Sequence, residues 1–446
     1  MSGLWPVSLI ALANKFRHDK EFSELIRTSI FALLVRMVGV TFGFLVTLFT
    51  SRFFGADALG LVSICVAILS FASVFGKFGM DVALMKYVAE FASKNDFSGL
   101  KGVYLSALKV IVPVSLIITA TLYFSSGLIA VHILHKPHLE NLLKVNSFFT
   151  FPLVLVLVNS ECVRGLKKIR AYTFFQTVSV SMIAAILLFI ISYYKNDNEI
   201  PAYIQFVSIS ISGLLSVIIW FYHSRFFKEV SKRVIPLSEL VKTSSPIFFT
   251  TLMQLTMSWA GTLILAAYNS EADVGVYNAL IRISVFTNIT ILAINSLSMP
   301  RFAESFTAGK MELLEKQAKE AARLIFITSI PIFILLSFFP SQILFVFGRE
   351  FPGNENALYV LLFGQLLVTF AGLPSQILNM TGRQNYLRNI AFVSAFINVV
   401  FCYYLIPLFG IMGACIAQLI GIVSWNVLSI LSVKKQFGFF TFFNPF

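Results

Sequence analysis

The stretch AYTFFQTVSVSMIAAILLFIISYY, residues 171–194, contains no charged side chain. A helix of about 20 apolar residues is long enough to cross the hydrocarbon core of a bilayer, so this stretch predicts a membrane-spanning helix. Four basic residues precede it between Arg164 and Arg170, whereas Lys195 alone follows it directly. Because basic residues accumulate in cytoplasmic loops, we expect the preceding loop on the cytoplasmic side.

The composition of the whole chain agrees with a location in lipid. Its 446 residues are 57% hydrophobic and 12% charged, and Phe occurs 48 times. Soluble domains carry roughly 25% charged residues, so this chain has too little charge to cover a soluble surface. The composition therefore excludes a soluble enzyme, a secreted disulfide scaffold and a disordered regulator.

Apolar runs of this kind recur along the chain with short linkers between them and predict twelve transmembrane helices. They cover residues 30–53, 58–80, 105–132, 142–163, 171–194, 201–222, 245–268, 275–299, 323–348, 357–380, 387–407 and 411–433. With a cytoplasmic N-terminus, 25 of the 34 Lys and Arg residues fall on the cytoplasmic side and five on the outer side. This distribution predicts that both termini are cytoplasmic, and it explains the net charge of +13 without a nucleic-acid partner.

The two halves of the chain resemble each other at an offset of about 214 to 218 residues. The aligned pairs are Gly60 with Gly275, each after an outer loop containing Ala-Asp, Ala89-Glu90 with Ala303-Glu304, Pro113 with Pro331, and Gly165 with Gly382. The predicted fold is an all-α polytopic membrane protein, with twelve transmembrane helices in two six-helix bundles around a central cavity. Its parts are a cytoplasmic N-terminal segment (1–29), a first bundle (30–222), a cytoplasmic linker (223–244), a second bundle (245–433) and a cytoplasmic tail (434–446).

Short motifs of glycine, aromatic and charged residues follow one another across roughly residues 24–436. They are Arg36-Met-Val-Gly39, Ser51-Arg-Phe-Phe-Gly55, Gly76-Lys-Phe-Gly-Met-Asp81, Lys86-Tyr-Val-Ala-Glu90, Asp273-Val-Gly-Val-Tyr277, Met299-Pro-Arg-Phe-Ala-Glu304 and Phe409-Gly-Ile-Met-Gly-Ala414. In this order they resemble the bacterial polysaccharide (O-antigen type) flippase family of the multidrug/oligosaccharidyl-lipid/polysaccharide exporter superfamily. The resemblance implies transfer of undecaprenyl-diphosphate-linked oligosaccharide from the cytoplasmic to the outer leaflet of a bacterial inner membrane. It also implies membrane lipids, a polysaccharide polymerase and the chain-length machinery as partners, in the synthesis of O-antigen or capsule.

Four basic residues lie within the predicted spans, namely Arg36, Lys77, Lys109 and Arg282. Inserting an ionisable group into a span costs about 2.5–3.5 kcal/mol on insertion scales, so we expect each of these residues to have a functional or structural role. No acidic residue lies in the middle of a predicted span. A cavity with these charges suits a diphosphate head group, and we expect Arg36 and Arg282 to hold it. Lys77 and Lys109 are further candidates for substrate binding, although both lie close enough to the cytoplasmic boundary to extend their ammonium groups into the head-group region.

Acidic residues at the cytoplasmic ends of the spans suggest a gate. Asp81 and Glu161 are placed to pair with Lys77, Lys86 or Arg164. If such pairs break in the outward-facing state, Asp81, Glu161 and Arg164 are gating residues. Alternatively, the pairs only satisfy the polar groups at a helix end.

Other classes of function have less support. A cation- or proton-coupled drug exporter of the same superfamily would be expected to use carboxylates within its spans, and a membrane polymerase would need a large outer loop. His132, His135 and His138 are interrupted by Pro137, and the four cysteines lie in or at the edge of apolar runs, so neither set predicts a metal site. With no nucleotide-binding or hydrolase motif in the sequence, we expect neither an enzyme nor a cofactor.

Overall fold

The computed structural model describes residues 20–193, 197–225 and 237–442, and regular secondary structure in these ranges is helical. Its α-helices are α1 (Lys20–Lys77), α2 (Met80–Ser93), α3 (Phe97–Leu128), α4 (Glu140–Ser147), α5 (Thr150–Gly165), α6 (Ile169–Thr173), α7 (Ser179–Ile191), α8 (Ile200–His223), α9 (Leu237–Tyr268), α10 (Glu271–Ser284), α11 (Asn288–Thr307), α12 (Met311–Phe338), α13 (Pro340–Phe347), α14 (Glu355–Ala371), α15 (Pro374–Met380) and α16 (Gln384–Phe437). The predicted N-terminal segment up to residue 19, most of the predicted linker, residues 226–236, and the end of the predicted tail, residues 443–446, lie outside the described residues.

The helices α1 and α16 are too long for a single crossing. They contain 58 and 54 residues. At a rise of about 1.5 Å per residue, each would measure about 80 Å, more than twice the hydrocarbon thickness of about 30 Å. Each contains a glycine with non-helical backbone angles, Gly55 (φ 90°, ψ 175°) and Gly410 (φ 52°, ψ −126°). Because glycine adopts positive φ without a steric penalty, the chain can turn there between two spans.

The number of spans follows from these turns and from two bent helix pairs. In the described part of the chain, eight helices can cross a membrane by length and composition, or ten if each bent pair is one span. The pairs are Pro137–Ser147 with Thr150–Gly165, bent by 45°, and Glu355–Ala371 with Pro374–Met380, bent by 47°. Dividing α1 at Gly55 and α16 at Gly410 would add two more. The all-helical polytopic membrane fold is thus confirmed, while the exact number of twelve spans stays a prediction.

Buried apolar side chains form one shared core at one end of the molecule. We call residues 30–222 the first half and residues 245–433 the second half. Leu59 and Ile64 of the first half belong to the same cluster as Leu280, Phe347 and Leu358 of the second half. This end, where the halves meet, is called the junction end below.

At the opposite end, called the split end, the halves have separate cores. Met80, Leu84 and Trp220 belong to a cluster of the first half, which also includes Leu240 at the start of α9. The second half has its own cluster, built from Phe302 in α11, Leu314 and Ile325 in α12, Ile377 in α15 and Ile390 in α16. The halves still touch there, because the ring of Phe248 in α9 stacks on that of Phe78 with 4.8 Å between centroids. Since the cores are joined at one end and divided at the other, we infer a cleft between the halves on the side of the split end.

Two glycines allow α1 and α10 to cross in backbone contact at the junction end. A Cβ atom on Gly60 would overlap the backbone carbonyl of Glu271, and a Cβ atom on Gly275 would overlap the carbonyl of Ala56. Each glycine therefore packs on the residue four positions before its counterpart. Gly60 and Gly275, which the sequence repeat aligns with each other, thus occupy equivalent positions on the two sides of the crossing.

We predict that Gly60→Ala and Gly275→Ala each destabilise the protein, because a methyl group at either position forces the two backbones apart. The expected result is a melting temperature in detergent several degrees below that of the unmodified protein. Gly127→Ala is the control, since its added Cβ would lie 3.4 Å from the nearest atom, Oε1 of the Glu140 side chain. Alanine is also the better helix former, by up to about 1 kcal/mol, so the control should melt at the same or a higher temperature. Equal melting temperatures for Gly60→Ala and the control would contradict the prediction.

Candidate functional site

Arg282 lies at the base of the cleft. The helix α10 begins with a capping box between Ser270 and Asp273, and Arg282 follows Gly275 by about 10 Å of helical rise. Its Nη1 atom is 3.6 Å from the position that a Cβ on Gly43 of the first half would occupy. The Arg282 side chain is nevertheless exposed. Arg282 therefore lies at the boundary between the two halves, beside α1 of the first half.

Aromatic rings join the two halves close to this position. The ring of Phe44 in α1 meets the ring of Phe286 edge to face at 4.8 Å between centroids, and that of Phe347 at 5.3 Å. Phe44 belongs to the first half, whereas Phe286 and Phe347 belong to the second. Edge-to-face contacts of this kind are worth about 0.5–1.5 kcal/mol beyond the area they bury. The rings therefore help to hold the two halves together beside Arg282.

Arg36 lies nearer the split end. It precedes Gly43 in α1 by seven residues, or about 10 Å of helical rise, and its side chain is partly exposed. It is close enough to the Tyr172 side chain to act on it electrostatically. Within the part of the chain that the structure describes, neither Arg36 nor Arg282 forms an ion pair. The two arginines thus lie at different depths without carboxylate partners among the described residues, and their part in substrate binding stays a prediction.

The predicted gating residues form two ion pairs, both within the first half. Lys77 Nζ lies 2.5 Å from Asp81 Oδ2, with both side chains buried, and Arg164 Nη1 lies 3.2 Å from Glu161 Oε2. Neither pair bridges the two halves, so their part in gating stays a prediction. Asp81 compensates the charge of Lys77, which leaves Lys77 less available to a substrate than either arginine.

Lys109 lies on an exposed part of α3. The buried positions of this helix include Leu100, Val103, Tyr104 and Ala107, and Lys109 has no ion-pair partner among the described residues. Its assignment to substrate binding stays a prediction.

A second group of polar residues, which the sequence did not predict, joins the halves at the junction end. Lys136 of the first half donates a hydrogen bond of 2.7 Å to the carbonyl of Asn269, and its Nζ is 3.3 Å from Glu271 Oε1. His138 Nε2 lies 3.0 Å from the same oxygen. The Lys136 side chain is buried. An ion pair with little access to water therefore spans the two halves.

A carboxylate at the junction end also meets the start of a helical stretch in the opposite half. The Ala56 N–H of the first half, directly after the turn at Gly55, donates to Glu350 Oε2 of the second half at 2.8 Å. The first N–H groups of a helix lack partners within the helix and carry partial positive charge, so they favour carboxylates. This contact requires the junction to be closed.

Sequence reasoning missed this group because its members are far apart in the chain. Lys136 and Glu271 belong to different halves, and no local pattern relates them. One signal was present, since Ala56-Asp57 and Ala272-Asp273 recur at matching positions of the repeat. The two Ala-Asp pairs lie at the beginning of the two helical stretches that cross at the junction end.

These features define a polytopic membrane transporter, built from two halves around a cleft. A family model described as polysaccharide biosynthesis protein matches residues 25–306, and a model described as MatE matches residues 246–404. An uncharacterized membrane protein of Methanocaldococcus jannaschii is 26% identical over 401 residues, covering 84% of this chain and 77% of that protein. The probable low-salt glycan biosynthesis flippase Agl15 of Haloferax volcanii is 22% identical over 447 residues, covering 93% of this chain and 86% of that protein.

The fold is also that of a solved transporter. The inward-facing conformation of a multidrug resistance MATE family transporter of the MOP superfamily matches with a TM-score of 0.69 and 16% identity, over 92% of this chain and 98% of that chain. The chain belongs to the polysaccharide biosynthesis protein family. The predicted family resemblance is confirmed. Because the relatives are flippases and transporters, the prediction that the chain is not an enzyme is confirmed as well.

We predict that Lys136→Met and Glu271→Gln each increase the fraction of molecules with an open junction, because either change breaks the ion pair between the halves. Spin labels at Asn141 and Asn356, both exposed at the junction end, report the distance between the halves. The four native cysteines are buried and contribute little labelling. The double variant should open less than the two single effects summed, with a coupling of about 0.5–3 kcal/mol.

Lys319→Met is the matched control, since it removes an exposed pair within α12, in which Lys319 Nζ lies 2.7 Å from Glu315 Oε1. Such surface pairs contribute about 0–1 kcal/mol, so the label distances should not change. Strictly additive effects of the two junction variants would contradict the predicted contact.

Proposed function

We propose that this protein is a flippase that carries polyprenyl-diphosphate-linked oligosaccharide units from the cytoplasmic to the outer leaflet, by alternating access of the cleft. The observation that carries the proposal is Arg282, which meets solvent at the base of the cleft without a carboxylate partner among the described residues. Keeping a guanidinium within a membrane span costs free energy, and binding of an anionic ligand offsets that cost. The planar fork of donors on arginine suits the paired oxygens of a diphosphate.

The relatives support a lipid-linked glycan as the cargo. The name of the Haloferax volcanii relative assigns it to glycan biosynthesis as a probable flippase, and the family model carries the description of polysaccharide biosynthesis. We propose the same class of substrate for this protein. In this proposal the sugar occupies the cleft, and the polyprenyl tail remains in the surrounding lipid. A polymerase and a chain-length regulator of the surface polysaccharide are the partners expected downstream.

The orientation follows from the basic residues. Lys94 and Lys101 lie at the split end of the first half, and Lys316 and Lys319 lie at the start of α12, at the split end of the second half. Because cytoplasmic loops are rich in Lys and Arg, we place the split end and both termini in the cytoplasm of a bacterial inner membrane. The structure then corresponds to a cleft that opens to the cytoplasm and is closed toward the outside.

In the proposed cycle the head group meets the arginines in order of depth. Arg36, nearer the split end, draws the diphosphate into the cleft, and Arg282 receives it about 10 Å deeper. The junction then opens, with separation of α1 from α10 and of Lys136 from Glu271, while the split end closes. Lys77, Lys109 and the pairs of Asp81 and Glu161 act at the cytoplasmic mouth.

We predict that Arg282→Ala and Arg36→Ala each abolish most transport while the folded protein remains in the membrane. Loss of one charged hydrogen bond costs about 1.5–3 kcal/mol, which corresponds to a loss of roughly ten- to a hundredfold at limiting substrate. The measurement is the amount of lipid-linked oligosaccharide on the cytoplasmic leaflet, in a deletion strain of the source organism carrying each variant. Arg383→Ala, at an exposed position between α15 and α16, is the control and should restore surface polysaccharide fully.

The deletion strain itself distinguishes the candidate functions. Repeat units that accumulate on the cytoplasmic leaflet, with loss of surface polysaccharide, support the flippase. Single units on the outer leaflet indicate a defect of polymerisation instead. No accumulation combined with altered drug sensitivity would support the drug exporter. Full activity of both arginine variants would overturn the proposal that Arg36 and Arg282 bind the substrate in the cleft.

A further inference from the structure

The break between α14 and α15 has the features of a hinge within the second half. The two helices meet at an angle of 47°. Gly372, with φ 76° and ψ −130°, follows the last residue of α14, and Pro374 begins α15. Because glycine adopts positive φ without a steric penalty and proline has no N–H to donate, the helical hydrogen bonds are interrupted here. The carbonyl groups of the last turn of α14 therefore need donors from outside the helix.

The residues that follow α16 supply one of these donors. The helix ends at Phe437, and Gly438 terminates it in the left-handed conformation with φ 83°. We call residues 438–442 the strap. Thr441 of the strap is fully buried, and its Oγ1 donates a hydrogen bond of 3.1 Å to the carbonyl oxygen of Ala371, the last residue of α14. The Thr441 carbonyl oxygen also lies 3.0 Å from the position that a Cβ on Gly372 would occupy. The strap thus packs directly on the hinge.

The strap contacts the chain on both sides of the hinge. Before the hinge, the ring of Phe442 stacks on that of Phe370 in α14 with 5.9 Å between centroids. After the hinge, Leu373 and Ile377 belong to the buried core cluster of the split end that also contains Phe439 of the strap. Since the strap is fixed to both helices, the angle between α14 and α15 cannot change without loss of some of these contacts.

The position of the hinge connects it to the first half. The helix α15 packs against α11, and α11 also contacts α1 of the first half. Phe302 of α11 belongs to the same core cluster as Phe439. A rotation of α15 about Gly372 therefore changes the packing beneath the helix of the second half that approaches the first half.

We propose that the strap locks the hinge at Gly372 and thereby holds the split end open, and that the split end closes when the strap loosens. The inference rests on the proposed function for its place in the cycle, in which the split end closes while the junction opens. Contacts that are made in one conformation and lost in the other shift the equilibrium by the difference in their free energies. Removal of a strap contact should therefore favour the closed split end.

The test uses the purified full chain without substrate, with spin labels at Ser93 and Lys316, which are exposed at the split ends of the first and second halves. Thr441→Val keeps the shape of the side chain but leaves the Ala371 carbonyl without its donor. The ratio of short to long distances should rise about two- to tenfold, the effect of one hydrogen bond. Thr441→Ser retains the hydroxyl and should keep the ratio of the unmodified protein.

A second variant acts on the other side of the strap. Phe442→Ala removes the stack on Phe370 and should shift the distances in the same direction. Thr381→Val is the matched control, because the buried Thr381 Oγ1 donates to the Ile377 carbonyl at 2.8 Å, next to α15 and not to the strap. Its distance distribution should be that of the unmodified protein.

Two results would overturn the strap as a lock. One is a lower melting temperature of Thr441→Val with unchanged distances, which would show that the strap only completes the core. The other is an equal shift in Thr381→Val, which would show a general loosening of the split end. If Thr441→Val does not fold, Phe442→Ala decides by the same two criteria. Since no substrate is present, these results leave the flippase proposal untouched, and a failure of the transport assay leaves the strap untouched.

Discussion

The closure of one end of this molecule depends on the backbone crossing of α1 and α10. Gly60 and Gly275 place the carbonyls of Glu271 and Ala56 where side chains would otherwise lie. Between helices in lipid, where burial of apolar surface gives little net gain, close packing of small residues is a principal source of attraction. The crossing also determines which polar groups can meet. Only at this separation does Glu350 of the second half reach the Ala56 N–H of the first half.

The same chain uses charge in two different ways along the cleft. At the junction end, Lys136 and Glu271 compensate each other across the halves, so their burial is consistent with a stable closed state. At the base of the cleft, the structure provides no carboxylate for Arg282 among the described residues. Removing a buried charge's partner costs several kcal/mol, roughly 3–5, whereas a charge that faces water in a cavity avoids most of that cost. This difference is why the proposed function assigns the uncompensated Arg282 to ligand binding, whereas the compensated pair of Lys136 and Glu271 holds the halves together.

The local sequence predicted the helices of the fold more reliably than the contacts between them. Apolar runs predicted the helices, and the repeat predicted the relation of Gly60 to Gly275, because both depend on residue type at a given position. Helix ends were less predictable: α9 begins at Leu237, although residue 245 was predicted, since a helix continues past the apolar region into solvent. The contact of Lys136 with Glu271 could not be predicted, because it depends on how the two halves are arranged in space. The location of Arg282 within a span was predicted from the apolar run around it, but its approach to Gly43 was not.

The position of Arg282 bears on how a substrate could open the closed end. A ligand shifts a conformational equilibrium only by the difference between its affinities for the two states. Arg282 is carried by α10, the helix that crosses α1 at Gly275, and its guanidinium rests beside Gly43 in α1. An anion that withdraws the guanidinium from Gly43 removes a contact between the halves on the same two helices that form the crossing. In the proposed cycle, binding at Arg282 and opening of the junction would thus be coupled through α1 and α10 directly, without any intermediate element.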